Sequence, residues 1–292
     1  MLDFIQSASD GILFGATYAL IGIGFTLVFG VMHKLNLSYA AASVGGAYCG
    51  LMILQLAAGA PPVAVFACAC LAGGVLGCLV YLTCFHFIPV SNPLAALMAT
   101  VGMLLLIDEI IVDATAGMPV NYPAMFDDVM LHAGDFTLRG DLLMVFVVSV
   151  VCMAGLLALL YRTRLGLATR AVSQQAVAAQ LCGIRVGRVN AMTFIVTGLL
   201  GGIAGAMIGA SVGTLSPLLT TPLTIKGLIV TVIGGLGSIP GAIIAGLLVG
   251  GFESVLQQFR GVTERDLYVM LLLFVFLVFR PGGLFARKGG RD

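Results

Sequence analysis

The chain is a succession of apolar runs separated by short polar breaks. Nine runs stand out, at 11–31, 40–58, 62–88, 93–114, 142–161, 190–213, 222–236, 241–258 and 267–280. Most approach or exceed the roughly 20 residues a helix needs to cross a ~30 Å hydrocarbon core. The seventh and ninth are short for full crossings, so eight spans plus a re-entrant piece is the alternative count. The ten-residue alternating segments of a membrane β-barrel are absent. The predicted fold is an all-α polytopic membrane protein, one domain over residues 1–292, with eight or nine spans. No soluble domain fits anywhere, and the longest polar insertions are 115–141 and 163–189.

One stretch breaks the pattern. "TRLGLATRAVSQQAVAAQLCGIRVGRVN", residues 163–190, carries four arginines, three glutamines and no acid. Residues 167–182 hold no Gly or Pro and are rich in Ala and Gln, good helix formers. Ala168, Val172, Ala176 and Ala179 fall on one face at three- and four-residue spacing. Gly183 followed by Ile184 is the usual glycine stop with an apolar residue behind it. The spacing predicts a single helix, 167–182, with a small-residue face. A helix lying on anionic lipid needs bulky apolar anchors; alanines suit a protein groove better.

Composition agrees with the membrane reading: 60% of residues are hydrophobic and 9% charged, against about 25% charged in a soluble domain. The net charge of +1 excludes nothing, but its distribution orients the chain. If 163–189 is cytoplasmic and nine runs span, Lys34, Arg162, Arg164, Arg170, Arg185, Arg188, Arg280, Arg287, Lys288 and Arg291 lie inside. Only Arg139, Lys226, Arg260 and Arg265 fall outside. The positive-inside rule then puts the amino terminus outside and the carboxy terminus inside. "MLDFIQSASD" has no basic n-region, so no cleaved signal peptide is expected. The seven cysteines form no CxxC pair and read as small buried hydrophobes. His33, His86 and His132 lack ligand spacing, no nucleophile triad shares a face, and the basic residues hug the membrane. Metal, hydrolase and nucleic-acid roles find no support.

Glycines spaced by four mark close helix contact. Gly201, Gly205, Gly209 and Gly213 form one ridge, and Gly73/Gly77 and Gly246/Gly250 repeat the spacing. The ridge serves packing within the chain or a contact with another subunit. "GGLGSIPG", 234–241, reads as a tight turn with Pro240 opening the next helix. The chain holds no G-x-x-x-x-G-K-[ST] phosphate loop, so any ATP must be bound elsewhere.

Ionisable residues inside spans are functional candidates by default. Asp108, Glu109 and Asp113 cluster near the outer end of the fourth run, as solvated acids or a docking surface. Lys226 enters the seventh run from outside. Glu253 lies 13 residues past Pro240, roughly 20 Å along its helix. Both fall in the outer half of consecutive antiparallel helices, so a Lys226–Glu253 pair is expected, either purely structural or part of an outer gate. "KLNLSYAAASVGGAY", 34–48, joins the first two runs. Broken, glycine-rich helix ends at membrane depth often line substrate paths. Asn36, Ser38 and Tyr39 are pathway candidates, a helix cap and turn being the alternative.

Several segments together resemble one family. "VAAQLCG", 177–183, is similar to the EAA-x-x-x-G loop of ABC importer permeases, with Val177 in place of the acid. "TRLGLATRAV", "GIRVGRVNAMTF", "GLIVTVIGGLGSIPGAIIAGLLVG", "GATYALIGIGFTLVFGV" and the "RPGGLF" ending resemble the branched-chain amino-acid permease family, LivH-type subunits, over nearly the whole chain. The resemblance implies an inner-membrane permease subunit of a bacterial, binding-protein-dependent importer that does no covalent chemistry itself. It implies no cofactor in this chain, with ATP and Mg on two cytoplasmic ABC ATPases. The other implied partners are a periplasmic substrate-binding protein, a LivM-type sister permease and membrane lipid. Arg170, Gln174, Ala178, Ala179 and Gly183 would then form the coupling surface for the ATPase. Lys226 and Glu253 match the family, whereas Tyr39 and Ala41 stand where its members usually carry His and Glu. That departure leaves the cargo open among branched-chain and other amino acids, urea, amides and aromatic acids. An ion-coupled secondary transporter is the rival of another class; it needs midplane acids and an inverted repeat, and Glu253 alone lies well inside a run.

Overall fold

The computed structural model describes residues 2–56, 61–88, 93–123, 130–133, 136–261, 265–280 and 282–285. Nine of its helices correspond to the nine apolar runs. They are α1 (Leu2–Met32), α2 (Tyr39–Leu56), α3 (Pro62–Tyr81), α4 (Pro93–Thr115), α5 (Gly140–Arg162), α8 (Val186–Val212), α9 (Thr220–Gly234), α10 (Ile239–Arg260) and α11 (Arg265–Phe279). Between α5 and α8 lie α6 (Arg164–Gln174) and α7 (Ala176–Leu181). Among the described residues, seven helices are long and apolar enough to cross a membrane, with shorter apolar helices at 39–53 and 266–279. The seventh run reaches crossing length because a 3₁₀ turn, Pro217–Leu219, extends it to 18 residues, Pro217–Gly234. The turn is set by Ser216, whose hydroxyl accepts from Leu218 N–H. The ninth stays short: α11 has 15 residues, about 22 Å of helix.

The ends follow local chemistry. Thr163 caps α6 by accepting from Gly166 N–H at 3.1 Å, and Ser238 caps α10 by accepting from Gly241 N–H. Gly213, at φ 76°, stops α8. Beyond the all-helical expectation, two short strand pairs occupy one end of the bundle. Strand β1 (Val120–Asn121) pairs antiparallel with β4 (Thr214–Leu215), and β2 (Met130–Ala133) with β3 (Phe136–Arg139).

Helices α1 and α8 form the centre, with 78% and 67% of their apolar windows buried against 28% for α4 and α5. Helix α1 packs chiefly on α10, and α3 on α8. Small residues allow both seams. A Cβ at Gly73 would lie 2.8 Å from Gly202 Cα, and one at Gly15 would lie 3.1 Å from Gly250 Cα. Helices this close exchange backbone van der Waals contact, the attraction available where lipid offers no hydrophobic gain. The ridge Gly201–Gly205–Gly209 is consumed inside the chain, against Tyr39, the Ser43 backbone and the Tyr122 ring. These three make an internal seam rather than a subunit contact, while Gly213, the fourth member of the expected ridge, leaves it as the left-handed stop of α8 and meets nothing within 4 Å.

Candidate functional site

Two places hold the candidate chemistry, at opposite ends of the bundle. The first is the α6–α7 elbow, which replaces the single expected helix 167–182. Gln175 interrupts it in an extended conformation, φ −158° and ψ 103°. Glutamine is a good helix former, so tertiary packing overrides its propensity. Gly166, Thr169 and Val172 are buried on α6, which packs on α1, α5 and α8, while α7 buries Ala179 and rests on α8. Ala168 is half-buried, but Ala176 is exposed and so leaves the expected small-residue face.

The glycine stop forms as its sequence suggests. Gly183 takes φ 84°, its N–H donates to Gln180 O at 3.0 Å, and Ile184 N–H reaches Ala179 O at 3.1 Å. That paired closure satisfies two of the last carbonyls of α7. The elbow therefore turns outward Val177, Ala178, Gln180, Leu181 and Cys182, with Leu181 86% exposed. Arg170 is exposed on α6 with its guanidinium 5.2 Å from the Tyr161 ring centre. Clefts flank the elbow on both sides. One of about 600 Å³ is lined by Lys34, Phe85, Gln174, Ala176 and Asn190. One of about 290 Å³ is lined by Thr26, Tyr161, Arg170, Gly237 and Phe285.

The second place is a buried charge cluster. Lys226 Nζ lies 2.7 Å from Glu253 Oε1, and the two residues are 6% and 4% exposed. Helical rise puts both about 10 Å inside the same ends of α9 and α10, which is why the pair could be expected. Two further members were not. Tyr18 of α1 accepts from Lys226 at 3.2 Å and donates to Glu253 Oε1 at 3.2 Å. Asp266, in the first turn of α11, lies 3.3 Å from Lys226 Nζ. Asp266 carries a visible hint, an acid at the start of an apolar run; Tyr18, mid-run on a distant helix, carries none.

The 34–48 segment is a packed joint. Ser38 donates to Asn36 Oδ1 at 2.8 Å, and both residues are buried. The Tyr39 hydroxyl donates to Thr197 O at 3.2 Å while its ring meets Phe25 edge-on. Asp108 is half-buried, and Glu109 and Asp113 are exposed on α4.

Residues 7–279 match the family model described as branched-chain amino acid transport system / permease component. The chain belongs to this family. Curated relatives span nearly its full length. The high-affinity branched-chain amino acid transport system permease protein BraD of Pseudomonas aeruginosa is 28% identical over 97% of this chain and 96% of its own. The corresponding LivH protein of Escherichia coli K12 is 28% identical over 98% of this chain and 96% of its own. Among solved structures, PsaBC from Streptococcus pneumoniae in complex with Fab shares a loose outline, with 14% identity, a TM-score of 0.49, and coverage of 94% of this chain and 89% of that one. A permease of this family is a non-catalytic, multi-pass subunit of a binding-protein-dependent ABC importer, and its ATPase and binding protein are separate partners.

Proposed function

We propose that this permease carries branched-chain or closely related amino acids inward, its amino terminus outside and its α6–α7 elbow in the cytoplasm. The names of BraD and LivH support that cargo class. The ten-to-four excess of basic residues supports the orientation. Residues 115–141 form the periplasmic loop, and 163–189 the cytoplasmic coupling loop. A LivM-type sister completes the path, and of two cytoplasmic ATPases one engages this chain's elbow through Arg170, Gln174, Ala178, Ala179 and Gly183.

One observation carries the reading. The elbow exposes Val177 and Leu181 among arginines, between two clefts, beyond the ends of the spans. Exposed apolar side chains rimmed by polar ones mark a protein contact, and the clefts leave room for the elbow to shift. Ala179 belongs to this surface from beneath, as the buried peg seating α7. Asn36, Ser38 and Tyr39 form the joint about which α1 and α2 tilt along the path, and Lys226 and Glu253 stand at its outer end.

Uptake of labelled leucine, isoleucine and valine into vesicles bearing the complete importer tests this reading. Uptake that requires ATP and the binding protein is expected. Uptake by this chain alone, driven by a proton or sodium gradient, would overturn it; ATP-driven uptake of urea or aromatic acids instead would move the cargo.

A further inference from the structure

We infer that the cleft between α1, α5, α6 and the start of α10 holds the headgroup phosphate of an anionic phospholipid. The site goes beyond the transport reading and is independent of the cargo.

The cleft, about 290 Å³, gathers donors and no acid: none of its lining residues is Asp or Glu. Arg170 stands at its rim with its guanidinium 5.2 Å from the Tyr161 ring centre, and it forms no ion pair among the described residues. Stacking uses the face of the guanidinium and leaves its N–H edge open to an anion. Ser238 caps α10 by accepting from Gly241 N–H at 3.3 Å, so its own O–H remains to donate. The first turn of this 22-residue helix adds the positive end of its dipole. Thr26 is the residue that calls for a ligand. It lines the cleft from α1, is 0% exposed, and its hydroxyl has no hydrogen-bond partner among the described residues. A helical threonine can donate to the carbonyl one turn back; here the Gly22 carbonyl receives the Thr231 hydroxyl at 3.1 Å instead. A buried hydroxyl left unpaired is costly, and an acceptor seated in the cleft relieves that cost.

Depth and the remaining walls select a lipid. Thr26 and Val31 lie in the last two turns of α1, Leu160 and Tyr161 in the last turn of α5, and Ser238 opens α10. The cleft therefore sits where three spans leave the hydrocarbon, at headgroup level. Leu27, Val31, Leu160, Ile239 and Phe285 give it an apolar side. A free phosphate has no use for that side; the glycerol and first acyl carbons of a lipid do. The volume admits about nine water-sized groups at ~30 Å³ each, the size of a phosphodiester with its glycerol. Basic pockets between spans take lipid headgroups in this way. An anionic lipid is preferred to a choline lipid, because a quaternary amine beside Arg170 would find no acid to meet it. The bound phosphate ties α6 to α1 and α10 and so seats the first helix of the elbow.

The test titrates the full chain and the complete importer, both in detergent, with dioctanoyl-phosphatidylglycerol and counts bound lipid by native mass spectrometry. A single tight site on this chain is expected, with weaker binding of dioctanoyl-phosphatidylcholine and no competition from inorganic phosphate at the same concentration. Thr26→Val should weaken the site about tenfold, the worth of one hydrogen bond to a charged group. It should not lower the melting temperature of the lipid-free chain, where that hydroxyl has no bond to lose. Ser238→Asp keeps a good helix cap while placing a like charge in the cleft, and should weaken binding at least as much. Arg170 stays unsubstituted, because the proposed ATPase surface includes it. Unchanged affinity in both variants would put the lipid on the exposed arginines of the elbow and overturn the site. Competition by inorganic phosphate would overturn the lipid as its occupant. Loss of the lipid when the ATPases join would do the same, and would make the cleft a seat for an acidic side chain of the ATPase. A Thr26→Val chain that melts lower without lipid would show the hydroxyl already bonded and remove the ground for the site.

Discussion

The two ends of this permease treat charge in opposite ways. At the elbow, Arg164, Arg170, Arg185 and Arg188 stand exposed around a short apolar helix. At the other end one lysine is sealed among Tyr18, Glu253 and Asp266. Exposed charge costs little and contributes little to folding, so the elbow is free to be shaped by a partner. Buried charge is expensive to strand, so the cluster constrains how α1, α9, α10 and α11 can sit. One end is built to be moved and the other to hold. Their substitutions should therefore separate stability from transport.

The largest effect is expected at the cluster. Lys226→Met takes away the cation paired with buried Glu253 and should cost about 3–5 kcal/mol, seen as a fall in thermal stability of the detergent-purified chain. Adding Glu253→Gln should recover much of that loss, since an apolar or neutral replacement of a whole buried pair is often tolerated. If the double variant is no more stable than the single one, the pair is not the coupled unit its geometry describes. At the elbow the order reverses. Ala178→Arg lies on an exposed helix face and should shift stability by less than about 0.5 kcal/mol, yet abolish ATP-driven uptake by blocking the docking surface. Normal uptake by that variant would sink the elbow's proposed role.

Two smaller effects sharpen the contrast. Gly183→Ala meets open space but must keep φ 84°, and should cost about 1 kcal/mol, read as a small drop in melting temperature. Arg170→Gln loses its stacking on Tyr161, worth about 0.5–1 kcal/mol at an exposed site. Its stability change should fall below that of Gly183→Ala or match it.

The sequence disclosed what depends on one helix and concealed what depends on several. Spans, caps and the Gly183 stop are local, written in hydropathy and in residues such as Thr163, Ser238 and Pro240. The Lys226–Glu253 pair was legible because only a tight turn separates its two helices, and helical rise fixes the depth of each. Tyr18 was not, because α1 meets α9 and α10 through packing that no periodicity encodes. The break at Gln175 was hidden for the same reason, since its own propensity is helical and only the seats of Val172 and Ala179 require the bend. Glycine spacing announced close seams, but not that Gly73 faces Gly202 while Gly205 faces Ser43.

Cys182 offers the most direct test of the central claim, that the elbow is where the ATPase grips this permease. It is exposed at the end of α7, next to Leu181. Labelling Cys182 of the complete importer with benzophenone-4-maleimide, photolysis with and without ATP, and mapping of the peptides joined to Cys182 reads that contact without any substitution. The account predicts a cross-link to the ATPase whose yield changes with ATP. An importer that hydrolyses ATP and transports while Cys182 stays unlinked, or links only to other parts of the membrane domain, would contradict it.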